Sequence, residues 1–146
     1  MKKTVIIILT AVLVICSMIL SKYYENNDKK NEINQFNVKY EKYKDSEITG
    51  RDIATIINQA VNDNEQAYIQ KDKSGIYIQN DTNSISIEIQ ITDFAKERKY
   101  KMETLYGGGI AEFVKYYGDI LFKYAEINYN SHGRVKYILF EQIKNK

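Results

Sequence analysis

The residue types that carry most enzyme chemistry are scarce in this chain of 146 residues. Its one histidine, His132, lies in a polar segment at 130–134, and its one cysteine, Cys16, lies in an apolar run. A histidine acts as a general base only beside a positioned partner, and the usual zinc sites need several His or Cys ligands. We therefore assign His132 to a turn, and we predict no metal site, no catalytic residues and no enzymatic activity.

Two short patterns resemble ligand loops without completing them. Asn62, Asp63 and Asn64 form a polar cluster that could suggest calcium, but no following glycine and bidentate glutamate complete an EF-type loop. The glycines at 107–109 precede a predicted helix, where a glycine run can cradle phosphate, but no Lys-Ser/Thr pair follows them. We interpret the first pattern as a helix terminus and the second as a strand-to-helix joint, and we predict no cofactor.

Paired carboxylates are the remaining route to hydrolytic chemistry. Residues 26–146 contain 18 acidic side chains, which could meet in space. They are scattered over predicted polar faces and turns, and none lies in an apolar context that would raise its pKa.

The most distinctive segment is the uncharged, mostly aliphatic run at residues 4–20, which follows Lys2 and Lys3. As a helix its seventeen residues would extend about 25 Å, near the lower limit for crossing a hydrocarbon core. The run predicts a transmembrane signal-anchor over residues 1–24, with the lipid bilayer contacted through residues 4–20.

The signals for removing this segment are poor. Candidate cleavage sites place the bulky Ile15 or Ile19 at the upstream position, where a small residue is needed. Ile15 also stands before Cys16, where a lipobox has Gly, Ala or Ser, and a pilin leader would need a glycine before the run and a glutamate inside it. Since Lys2 and Lys3 favour a cytoplasmic N-terminus, we predict an uncleaved, single-pass cell-membrane protein with its C-terminal domain outside.

The rest of the chain divides into a polar linker at 25–32 and one extracytoplasmic domain at 33–146. Residues 26–146 carry 18 basic against 18 acidic side chains, so the domain lacks the basic excess of nucleic-acid binders. It also lacks cysteine and must be stabilised by packing alone.

Hydrophobic periodicity in the domain predicts an α+β fold. Two amphipathic helices are indicated, one by the spacing of Ile33, Phe36, Tyr40 and Tyr43, and one that starts near Thr49 with an approximate capping box. Residues 84–92 alternate isoleucine with polar residues, which is typical of a strand with one solvated face. With the N-terminal transmembrane helix, we expect an antiparallel sheet of four to six strands, including one at about 99–105 after a polar hairpin at 96–98, and one short inserted helix at 109–117.

The last predicted hairpin, 119–128 with 135–143, is apolar on both faces if Tyr129 faces Val135; Lys123 would then face Glu141. Its second face carries four large side chains: Phe122, Tyr124, Ile138 and Phe140. Either a helix covers this face, or it is an exposed partner-contact patch, since contiguous exposed apolar area usually marks an interface.

The segments EITGRDIATIINQAVNDNE, IYIQNDTNSISIEI and HGRVKYILFEQI resemble small membrane-anchored proteins of unknown function from low-GC Gram-positive bacteria. The resemblance implies membrane anchoring and no particular activity. We expect a membrane-anchored, extracytoplasmic, non-enzymatic interaction or accessory module at the bacterial cell envelope, with an envelope protein as its partner. The alternative is a pilin-like or pseudopilin-like assembly subunit, whose layout is an apolar N-terminal helix followed by an antiparallel sheet.

Overall fold

The computed structural model describes residues 2–93 and 96–144, with the side chains of residues 2–11 and 93 outside the description. The fold is α+β, as predicted. Its elements are α1 (Lys2–Glu41), β1 (Ile48–Thr49), α2 (Gly50–Gln66), β2 (Ser86–Asp93), β3 (Lys96–Lys101), α3 (Met102–Tyr117), β4 (Leu121–Tyr129) and β5 (Val135–Gln142). The chain forms two compact units, Met1–Gln35 and Phe36–Lys146.

The first unit consists of helix α1 up to Gln35. Residues 25–32, the predicted linker, are helical and exposed, and Lys29 pairs with Glu25 one turn away at 2.7 Å. Within the part of the chain that the structure describes, no helix has the length and apolar character needed to cross a membrane. Residues 4–11 of the predicted anchor lie outside the described side chains.

The second unit is built on a five-stranded sheet with the order β1-β4-β5-β2-β3. Strands β1–β4, β4–β5 and β2–β3 pair antiparallel, but β2 and β5 pair parallel, so the sheet is mixed. The prediction of an antiparallel sheet was therefore wrong for its central pair. A parallel pair needs a crossover connection, and β3, α3 and β4 together supply it.

The boundary between β3 and α3 also differs from the prediction. Residues 96–98, predicted as a hairpin turn, belong to β3, and Met102, predicted in a strand, begins α3. Helix α3 thus starts seven residues before the predicted inserted helix and runs through the glycines, with a break at Gly109 (φ 111°, ψ 87°). This positive φ is a conformation that glycine adopts without steric cost.

The core lies between one face of the sheet and the helices. The isoleucines of β2, the stripe of α2 and the inner residues of β5 are all nearly inaccessible. Thr49 caps α2 as predicted: its Oγ1 accepts from the Asp52 amide at 3.3 Å and donates to the Asp52 carboxylate at 2.6 Å. The alternation of β2 and the periodicity of α2 therefore define the same core from opposite sides.

Candidate functional site

The four residues of the predicted partner-contact patch lie against the helices. Phe122, Ile138 and Phe140 are fully buried and Tyr124 is partly buried. The Phe122 ring lies 6.4 Å from that of Phe113 on α3, and the Tyr124 hydroxyl donates to the Tyr40 carbonyl of α1 at 2.5 Å. Helices cover this face of the hairpin, so the exposed-patch alternative is corrected in favour of the core.

The last turns of α1 are attached to the β4–β5 hairpin by an arrangement that the sequence did not reveal. The Asn37 amide nitrogen donates to the Gly133 carbonyl at 2.8 Å, and its oxygen accepts from the Val135 amide at 2.9 Å. The Tyr129 hydroxyl donates to the Glu41 carboxylate at 2.6 Å. We call these three contacts the helix clasp; all belong to the second unit.

A buried polar cluster lies beside the clasp. The Tyr40 hydroxyl donates to Asp63 at 2.7 Å, and the Lys39 ammonium lies 3.3 Å from the same carboxylate. The Arg134 guanidinium stacks over the Phe36 ring at 3.3 Å, and its Nη1 is buried with no hydrogen-bond partner in the described part of the chain. Burial raises the pKa of Tyr40, as does its bond to Asp63, whereas burial lowers the pKa of Arg134.

The buried polar cluster gives a structural role to Asp63, one of the three polar residues at 62–64 that could suggest a calcium loop. Asp63 lies near the C-terminal end of α2 and receives donors from α1.

His132 lies in the β4–β5 turn, where its Nδ1 is 3.2 Å from the Ser131 hydroxyl. Across residues 2–93 and 96–144, no group of three or more His, Cys, Asp or Glu is placed to hold a metal ion.

Strand β3 forms one edge of the sheet and is strongly basic. Four of its six residues are cationic: Lys96, Arg98, Lys99 and Lys101. Lys96, Lys99 and Lys101 are exposed and make no ion pair with any described residue, while Glu97 pairs with Lys144 at 3.2 Å. We call the four cationic side chains the basic edge.

An aromatic cavity of about 200 Å³ adjoins this strand. Its walls include Tyr100 from β3, Ile91 from β2, and Leu105, Phe113 and Tyr116 from α3. The glycine break lies on its rim, since Gly108 and Gly109 also line it. Tyr116 is 63% exposed, so a large aromatic side chain stands at the opening instead of packing into the core.

A second cavity, of about 280 Å³, is lined by Lys71, Tyr77, Glu103 and Tyr106. The Tyr77 amide donates to Glu103 Oε1 at 3.2 Å, and the Lys71 ammonium lies 4.5 Å from the Tyr77 ring centroid. Glu103 Oε2 is buried and has no partner among the described residues.

Comparison with known proteins gives no relative from which a function could be transferred: no family model matches the chain, and no curated protein or solved structure is significantly similar to it.

Proposed function

We propose that this chain is a membrane-anchored, extracytoplasmic, non-enzymatic interaction module at the bacterial cell envelope. The observation that carries the proposal is helix α1. It is one continuous helix, Lys2–Glu41, which contains the apolar run at 4–20 and also the residues of the helix clasp. In this proposal residues 4–20 are the anchor, and the helix clasp holds the last turns of α1 within the second unit.

The side chains described within the run support a lipid environment. Seven large apolar residues of α1 are each more than half exposed: Val12, Leu13, Val14, Ile15, Met18, Ile19 and Leu20. A helix that is apolar on all sides needs an apolar surrounding. In this proposal the bilayer provides it through residues 4–20.

The partner surface in this proposal is the basic edge together with the aromatic cavity. The four residues predicted as a contact patch are engaged in the core. Strand β3, by contrast, combines an open sheet edge, three lysines without an ion pair among the described residues (Lys96, Lys99 and Lys101) and an adjacent apolar opening. Such a surface fits an envelope protein better than a reaction centre, because its polar groups are exposed cations without a positioned general base.

Membrane attachment is tested by substituting an arginine for Leu13 and fractionating cells. A charge at the centre of a membrane helix costs about 2.5–3.5 kcal/mol on insertion scales, so Leu13→Arg should move most of the protein out of the alkali-washed membrane fraction. Val38→Arg is the matched control, because Val38 is 67% exposed on the same helix but lies outside the run. Equal retention of both variants would contradict the anchor.

Orientation and contact are tested with two further reagents. In a Cys16→Ser background, Lys73→Cys should react with an impermeant thiol reagent on intact cells; labelling only after lysis would reverse the topology. A photo-crosslinking residue at position 99 should give a protein adduct in native membranes, whereas one at exposed position 73 should not. Adducts from both positions or from neither would contradict the assignment of the partner surface.

A pilin-like assembly subunit is the second candidate, favoured by the same continuous α1, which carries an apolar run and ends on a sheet domain. N-terminal sequencing of the mature protein separates the two functions. An intact Met1–Lys2 start contradicts a processed pilin, and a start at Lys22 or beyond contradicts the anchor.

A further inference from the structure

Strand β3 has an unoccupied edge. It pairs only with β2, and no backbone hydrogen bond joins its other side to another described residue. In a strand, alternate residues direct their N–H and C=O groups to each side, so this edge offers a row of donors and acceptors to another extended chain. Lysines on an edge strand can simply prevent such pairing, so charge alone does not choose between protection and binding.

The aromatic cavity next to β3 favours binding of another strand over protection of the edge. In the β2–β3 register Tyr100 faces Ile89, so the Tyr100 ring lies on the inner face of the sheet, where it lines the aromatic cavity. A strand added beyond β3 would place its own inner-face side chain beside Tyr100, at the opening near Tyr116. Protection of an edge requires the charges but no apolar recess, whereas binding of a peptide strand uses both.

The charged side chains of β3 also limit which kind of chain can pair with its open edge. A second copy pairing through β3 would bring together two strands that each carry four cations and one glutamate, and the net repulsion between like charges across the ladder is destabilising. The other edge of the sheet, β1, is only two residues long, so it offers little for a head-to-tail contact. An acidic strand, by contrast, would meet Lys99 and Lys101, which lie on the outer face of the sheet, opposite to Tyr100, and have no other ion-pair partner among the described residues.

We propose that β3 accepts an extended, acidic segment of a partner protein as a sixth strand, with carboxylates on the basic edge and one apolar side chain in the aromatic cavity. This inference rests on the proposed function and specifies its partner chemistry. Backbone pairing supplies affinity that does not depend on sequence. Lys99 and Lys101 select acidic residues on the outer face, and the cavity selects an apolar residue on the inner face.

The experiment uses the full chain in neutral-detergent micelles and three probes: the peptide EVEVEVE, its counterpart KVKVKVK, and a short inorganic polyphosphate. Saturable binding of EVEVEVE without binding of KVKVKVK is expected. Two further versions of EVEVEVE carry N-methyl groups on alternate sets of backbone amides. The version methylated at the amides that face β3 should not bind, because it has lost its hydrogen-bond donors to the strand, whereas the other version should still bind. On binding, hydrogen exchange should slow in residues 96–101 and remain unchanged in residues 121–129.

Matched variants locate the site. Lys99→Glu should weaken EVEVEVE binding about three- to tenfold, whereas Lys73→Glu, the same charge change at an exposed position elsewhere, should have little effect. Tyr116→Ala should weaken it about threefold or more through lost apolar contact, whereas Tyr106→Ala, which alters the second cavity on the same helix, should not. All four altered side chains are exposed, so folding is expected to survive, and near-ultraviolet circular dichroism checks this.

Several outcomes would overturn the inference. Binding of polyphosphate with the same sensitivity to Lys99→Glu, together with indifference to N-methylation and to Tyr116→Ala, would make β3 a polyanion surface. Absence of EVEVEVE binding would reject strand addition. If crosslinking from position 99 nevertheless captures a protein in native membranes, the proposed function stands and only the partner chemistry is wrong.

Discussion

Asn64 makes two hydrogen bonds that fix the start of β2 to the end of α2. Its Nδ2 donates to the Ile85 carbonyl at 2.8 Å, and its Oδ1 accepts from the Ile85 amide at 2.9 Å. Asn64 and Ile85 are both 0% exposed. Asn64→Ala therefore leaves a buried donor and a buried acceptor of Ile85 without partners.

Each buried polar group that loses its partner costs about 1–3 kcal/mol, so Asn64→Ala, which leaves two such groups without partners, should lower the free energy of unfolding by about 2–6 kcal/mol. This is a large share of the roughly 5–15 kcal/mol that holds a typical domain folded. The assay is urea unfolding of the full chain in neutral micelles, followed by near-ultraviolet circular dichroism, for which the thirteen tyrosines are suitable reporters.

Two comparisons separate this explanation from a general sensitivity of α2. Asn62→Ala, at an exposed position two residues earlier, should change stability by less than about 0.5 kcal/mol. Asn64→Asp keeps the acceptor but places a carboxylate against the Ile85 carbonyl, so its deficit should shrink as the pH falls and the protonated acid regains a donor. If Asn64→Ala and Asn62→Ala cost the same, or if Asn64→Asp is insensitive to acid, the bidentate bond is not what stabilises this junction.

Three further predictions concern glycine contacts and tyrosine protonation. Gly50→Ala should lower the free energy of unfolding in urea by about 3 kcal/mol or more, because its Cβ would lie 2.0 Å from the Tyr117 carbonyl oxygen. Gly107→Ala, whose Cβ meets nothing within 4 Å and lies in a helix, should instead raise it by about 0.5–1 kcal/mol. Equal effects of the two substitutions would contradict the close approach at Gly50. Tyr40→Phe should cost about 1.5–3 kcal/mol, since the buried Asp63 carboxylate loses its 2.7 Å donor; an unchanged urea midpoint would contradict this. Burial and the hydrogen bond to Glu88 raise the pKa of Tyr137 to about 12, so its contribution to stability should be complete below pH 10, the ordinary tyrosine value, and be lost as the pH rises from about 10 through about 12. Tyr137→Phe should lose less stability over that interval, and identical alkaline profiles would contradict the assignment.

The parts of the fold that sequence reasoning anticipated are those with a local cause. The isoleucine alternation of β2 and the cap at Thr49 require only neighbouring residues, and both are present. The register at the two ends of the hairpin also agrees with the local prediction: Tyr129 pairs with Val135, and Lys123 lies opposite Glu141 with their charges 3.4 Å apart. Between these ends the register is shifted by one residue, because it changes between Tyr124 and Glu126 and again between Asn128 and Tyr129.

The wrong predictions concern features that depend on distant segments of the chain, or on segments whose composition fits more than one local structure. The parallel pairing of β2 with β5 joins residues about fifty positions apart, and a strand with one solvated face does not show the direction of its neighbour. Charged residues at 96–98 resemble a turn by composition, yet an edge strand accommodates them because both its faces and one edge reach water. The helix clasp has no sequence signal, since Asn37 meets Gly133 across 96 positions.

The helix clasp and the basic edge are separated within the second unit, and this separation makes them independently testable. The clasp contacts β4, β5 and their turn, whereas β3 lies two strands beyond β5. At about 4.8 Å per strand the two features are at least about 10 Å apart across the sheet, a distance at which substitutions usually act additively. Asn37→Ala should therefore lower the free energy of unfolding by about 1–2 kcal/mol through its two lost bonds while leaving EVEVEVE affinity unchanged. Lys99→Glu should weaken EVEVEVE binding while leaving the free energy of unfolding unchanged. Isothermal titration and urea unfolding of the two single variants and the double variant measure both quantities. A loss of peptide affinity in folded Asn37→Ala would mean that strand β3 is coupled to the end of α1, and that the helix clasp and the basic edge form one site instead of two.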